Sequence, residues 1–148
     1  MEKVERLLYR FGNLKKQIKE CKDEIKELFA EKYSCMEGLL RVSVPDSERV
    51  KVEKKNDPVY CVVQKMVDVF DDRITRKSEQ LRDLCFDFDE IKRKVDEAGL
   101  SEVECEYLRL RYIDRLSVAW ITDKQGYSER QTQRIRKNLL KKLAGGVA

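Results

Sequence analysis

"LSVAWITDKQGYSERQTQRIRKNLLKKL", residues 116 to 143, decides how the chain is read. Two helical patterns meet there at one glycine. Ser117 stands where an N-cap belongs, and Val118, Trp120 and Ile121 are the expected inward residues of the first helix. Gly126 permits a tight turn, Tyr127 is expected to plug the core, and Ser128 caps the next helix. Ser128 and Gln131 make the S-x-x-Q form of a capping box, in which each partner satisfies a backbone N–H orphaned at the helix start. Beyond the cap, Thr132, Ile135, Leu139, Leu140 and Leu143 fall on one stripe.

Just upstream, "LSEVECEYLRLRYI" (residues 100 to 113) opens with a second capping box, Ser101 with Glu104. Val103, Tyr107, Leu108 and Leu110 supply its apolar face, and Asp114 with Arg115 makes a turn. Three short helices, the last two joined at a glycine, have the outline of a helix-turn-helix. Ile121, Tyr127 and Ile135 take its core positions. Thr122 stands where a small residue lets the helices cross. Gln125 and Thr132 depart from the pattern, since apolar residues are usual at both places.

With that stripe inward, the helical step turns Ser128, Glu129, Arg130, Gln133, Arg134 and Lys137 outward. Arg holds guanine O6 and N7 bidentately, and Gln does the same with adenine N6 and N7. Ser128 and the free N–H groups at the helix start suit a phosphate. Arg136, Lys141 and Lys142 are assigned to backbone phosphate or to solvent. Trp120 and Tyr112 are read as core rather than as stacking platforms.

The charge is placed to match. From Ser128 onward there are six basic residues against the single acid Glu129, whereas the first 127 residues hold 26 basic and 27 acidic ones. A near-neutral body with a basic end is the asymmetry expected where one end meets an anionic partner.

The rest of the chain reads as long helices. Val4, Leu7, Phe11, Leu14, Ile18, Cys21, Ile25 and Leu28 recur in alternating steps of three and four, a heptad seam. It predicts a helix over 2–33, with Gly12 as its weak spot. A second seam runs Val63, Val67, Phe70, Ile74, Lys77, Leu81, Leu84, Phe88, Ile91, Val95, with Lys77 as its one polar member. It predicts a helix over 58–98, started by Asp57 as N-cap and Pro58 at the first position, and stopped by Gly99. Residues 34–56 read as a connector, with a small hairpin of Arg41–Val44 against Arg49–Val52. Two arrangements bury the seams: an antiparallel hairpin within one chain, or pairing with a second chain. The second helix is the longer on this reading and leaves seam unmatched, so a homodimer through the long helices is expected. The expected fold is all-α, with residues 1–98 for oligomerisation or partner binding and 99–148 as the DNA-binding unit.

Other chemistries find little support. The chain has no histidine, which removes the commonest general base and transition-metal ligand. Five cysteines without a CxxC pair argue against a zinc knuckle or a disulfide scaffold, and are expected to be reduced thiols packed in helices. Asp71, Asp72, Asp87 and Asp89 are read as solvated. No phosphate-binding glycine loop occurs. No enzymatic activity, cofactor or metal is expected. No apolar run approaches the roughly 18 residues of a membrane span, and "MEKVERLLYRFGNLKK" lacks the apolar block of a signal peptide. No membrane association and a cytoplasmic location are expected.

At this point the residues suggest a family. "LSEVECEYLRLRYIDRLSVAWITDKQGYSERQTQRIRKNLLKKL" (residues 100 to 143) resembles region 4 of the bacterial sigma-70 family, through Leu100, Glu104, "YLRLRYI" and "GYS" before a basic helix ending in "LLKKL". Through "RYI", "GYSERQ" and "RI" it is more closely similar to the ArpU/RinA-type late-gene regulators of Gram-positive phages and prophages. The resemblance implies a double-stranded-DNA-binding transcriptional regulator, with Ser128, Glu129, Arg130, Gln133 and Arg134 as readers and RNA polymerase as a further partner. Lys77, Gln125 and residues 34–56 have no counterpart in that pattern. The readings set against it are a sigma-like factor or coiled-coil adaptor acting on a protein, and a small terminase-type DNA-recognition subunit.

Overall fold

The computed structural model describes residues 2–42 and 58–147. The fold is all-α. α1 is Glu2–Val42, α2 is Pro58–Glu97, and α3 is Glu102–Leu108, continued by one π-helical turn over Arg109–Ile113. α4 is Val118–Gln125 and α5 is Glu129–Val147.

α1 runs well past Tyr33. Residues 34 to 42, SCMEGLLRV, are mostly competent helix formers, and the lone Gly38 costs only about 1 kcal/mol. Arg41 and Val42 are therefore helical rather than strand. The rest of the expected hairpin and the Asp57 cap lie outside the described residues. The two long helices are nearly equal, 41 and 40 residues, so the length mismatch that argued for a homodimer is gone. α2 stops as expected, with Gly99 in the left-handed region at φ 64°.

The chain divides into two compact units, residues 20–82 and residues 1–19 with 83–148. The division falls inside the long helices and not at residue 98. In the unit of residues 20–82, α1 and α2 lie antiparallel: Lys32 pairs with Asp71 at 2.6 Å, and Glu24, further back on α1, pairs with Lys77, further on in α2. Cys21 and Phe70 are buried between the helices, with Ile25, Leu28, Ile74 and Leu81 half-buried beside them. The seam is thus covered within the chain. Lys77 keeps its place in it by sending its ammonium out to Glu24, whose hydrogen bond raises the Lys77 pKa. The Cys21 thiol donates to the Lys77 carbonyl at 3.4 Å. Not every cysteine is packed, since Cys61 and Cys105 are exposed.

In the other unit, the three short helices share one core with the first turns of α1 and the end of α2. Val4, Leu8, Phe11 and Leu14 from α1 and Ile91 from α2 meet Tyr107, Tyr112, Ile121, Leu139 and Leu143. Helices as short as α3 and α4 cannot bury enough apolar surface alone, and the long helices complete the core. Phe11 stacks on Phe88 at 4.7 Å, and Tyr9 and Tyr107 meet the Tyr112 ring edge-on at 5.1 and 6.3 Å. Gly12 is no weak spot here. A β-carbon at Gly12 would overlap the Tyr112 carbonyl, so glycine is what lets α1 approach the end of α3. Leu8, absent from the heptad reading, is fully buried.

Candidate nucleic-acid interface

α5 is positioned by caps that sequence spacing marks. Ser101 accepts from the Glu104 N–H at 3.4 Å, and the Glu104 carboxylate accepts from the Ser101 N–H at 3.2 Å. The helix then widens: the Asp114 N–H reaches the Arg109 carbonyl, and the Arg111 guanidinium donates to the Leu116 carbonyl at 3.0 Å. Arg115 adopts φ 57°, a left-handed conformation rare for a side-chain-bearing residue, and donates to Asn13. Ser117 caps α4 by accepting from the Trp120 N–H at 3.2 Å. Gly126, at φ 68°, turns the chain, and the Ser128–Gln131 box starts α5, with Gln131 accepting from the Ser128 N–H at 3.0 Å.

The α4–α5 contact is held by Ile121, buried against the α5 stripe, and by a hydroxyl pair. The Thr122 and Thr132 hydroxyls lie 3.1 Å apart, and each also stands within hydrogen-bond reach of a carbonyl, that of Val118 for Thr122 and that of Ser128 for Thr132; with one proton apiece, the pair makes two of these three bonds at a time. Thr132 at an apolar place is thereby satisfied. Gln125 is not: the buried atoms of its amide bond no described residue. Tyr127 is only half-buried. Trp120 is not an inward residue. α4 turns Val118, Ile121, Thr122 and Gln125 inward, which leaves Trp120 40% exposed with the Lys124 ammonium 4.5 Å above its ring. Tyr112 is core, as expected.

Ser128, Glu129, Arg130, Gln133, Arg134 and Lys137 are all exposed. The last five line one surface hollow of about 400 Å³. Arg130, Arg134, Lys137 and Lys141 follow one another at steps of four, three and four, so they share a helix face. Among the described residues none of these four has an ion-pair partner.

Two of the expected phosphate or solvent cations are otherwise engaged. Arg136 turns back to Glu5 of α1, donating through Nε at 3.0 Å and Nη2 at 2.6 Å to one carboxylate oxygen. The Tyr112 hydroxyl donates to that same oxygen at 3.1 Å. The bond to Glu5 raises the Arg136 pKa. Burial and then the Glu5 charge push the Tyr112 phenol well above its ordinary range, and burial raises that of Tyr107. Lys142 donates to the buried Glu104 at 2.9 Å, so one carboxylate serves both a cap and a tie to α5. Glu5 carried no sequence signal, because its partners lie more than one hundred residues away. Comparison of the chain with protein-family models, with curated proteins and with solved structures finds no match.

Proposed function

We propose that this chain is a sequence-specific regulator of transcription that binds double-stranded DNA with α5. One observation carries the reading: four cations without an ion-pair partner among the described residues share the exposed face of α5 with Gln133, while the two other cations of that helix are taken up by Glu5 and Glu104. A face that was merely solvated would not be expected to concentrate one sign of charge on the helix that follows a capped glycine turn. The resemblance of residues 100–143 to sigma region 4 and to phage late-gene regulators supports the same reading, with α4 and α5 as a helix-turn-helix. Arg130, Gln133 and Arg134 then read base edges, while Lys137, Lys141 and the start of α5 hold phosphates.

The test is selection of genomic fragments by the purified chain, with bound sites footprinted at two salt concentrations. The reading predicts an enriched, protected site whose affinity falls with salt at a log–log slope of about −2 to −3 per chain, as expected for phosphate contacts from Lys137, Lys141 and the start of α5. Recovery of random fragments only, or of none, overturns it in favour of a protein-binding adaptor.

A further inference from the structure

The unit of residues 20–82 carries a charge arrangement that its own seam does not explain. Glu24, Glu27 and Glu31 of α1 line one hollow with Leu28 and Lys77. Arg73, Arg76 and Gln80 of α2 line the adjacent hollow with the same Leu28 and Lys77. One side of this helix pair therefore bears an acidic strip on α1 and a basic strip on α2 at the same height. Within each strip, like charges stand three and four residues apart, Glu24–Glu27–Glu31 and Arg73–Arg76–Lys77, a spacing that disfavours an isolated helix. Helices that face only water more often mix signs at that spacing. Pairing within the chain relieves part of the repulsion, through Lys77–Glu24 and the exposed Arg76–Asp72 contact at 3.4 Å. Glu27, Glu31 and Arg73 have no ion-pair partner among the described residues.

We propose that this face binds a second copy of the same chain. A two-fold axis parallel to the helices lays the acidic strip of each copy on the basic strip of the other, so the complementarity is satisfied twice by one patch. It also sets α1 of each copy antiparallel to α2 of its neighbour, the arrangement of a four-helix bundle. The α2 strip continues in helical register from Arg73 back through Val69, Met66 and Val62. Val62 and Val69 are 49% and 50% exposed, apolar surface that a second copy would cover. The seam inside each chain stays as it is, so association requires no refolding. Nothing in this proposal depends on what α5 binds.

Sedimentation equilibrium of the full chain, without DNA, tests it. The wild type is expected to be a dimer whose dissociation constant rises with salt. The pair Glu27→Lys with Glu31→Lys, and separately Arg73→Glu with Arg76→Glu, should each weaken dimerisation by about a hundredfold or more. An equimolar mixture of the two variants should regain a dimer, because each then offers what the other lacks. Helical content by circular dichroism checks that the variants fold, and Arg73→Ala with Arg76→Ala is a milder substitute should a reversal unfold. A wild type that stays monomeric at every concentration, a dimer indifferent to these changes, or a mixture that stays monomeric overturns the proposal.

Discussion

At the scale of the residue, small side chains are where sequence periodicity and structure part company. Gly12 looks like a flaw in a heptad, and replacing it by Ala should gain about 1 kcal/mol of helix propensity. The overlap with the Tyr112 carbonyl outweighs that gain, because backbone cannot yield as a flexible side-chain tip does. Gly12→Ala is therefore expected to lower stability by about 2 kcal/mol or more, read from urea unfolding; an unchanged or raised midpoint would show that α1 does not approach Tyr112 so closely. On the α5 face proposed to meet DNA, cations at different points should behave differently. Arg130→Ala should relax base preference, and Lys141→Ala should weaken all sequences alike and lower the salt slope by about one. Competition binding on matched and mutated sites distinguishes the two, and equal, sequence-blind effects would remove Arg130 from base reading.

At the scale of the element, α5 is held from behind by a carboxylate that no local pattern announces. Glu5 accepts three hydrogen bonds on one oxygen, from Tyr112 and twice from Arg136. Glu5→Ala leaves a half-buried guanidinium and a buried phenol without their acceptor, so a loss of about 1–3 kcal/mol is expected in thermal or urea unfolding. A loss below about 0.5 kcal/mol would mean that the tie is as weak as an ordinary surface pair. α4 offers the opposite experiment. Gln125 brings amide atoms into the interior without a partner, so Gln125→Met should raise stability by about 1 kcal/mol, and a lowered melting temperature would refute that account. Thr132 breaks the same apolar rule without that penalty, since its hydroxyl stands within hydrogen-bond reach of both Thr122 and the Ser128 carbonyl.

At the scale of the whole molecule, the chain should weaken in alkali in a particular way. Tyr107 and Tyr112 hold their protons more tightly when folded than when unfolded. Their contribution is complete below the unfolded tyrosine value of about 10 and is lost as pH rises above it, through the folded-state values. Unfolding midpoints at about pH 8 and about pH 11 should show the decline. Tyr112→Phe should make it shallower, and a parallel decline in that variant would assign the effect to other groups. The compact units also revise where the molecule divides. A cut near residue 98 is expected to strand Tyr107, Tyr112 and Leu139 without Leu8 and Phe11, which share their core.

Most of the helices and their ends were legible in the sequence. Capping boxes at Ser101 and Ser128, the glycines at 99 and 126 and the steps of three and four all act between residues a turn or so apart, and such interactions are written in local spacing. The outward set from Ser128 to Lys137 was legible for the same reason, since burying one stripe of a helix exposes the other. What remained hidden depends on partners far along the chain. Only the tertiary structure brings Glu5 to Arg136, Glu104 to Lys142 and Gly12 to Tyr112, turns Trp120 outward, and builds the core of the short helices on Leu8 and Phe11. Those contacts are decided by where packed helices cross, and spacing within a single helix does not carry that information.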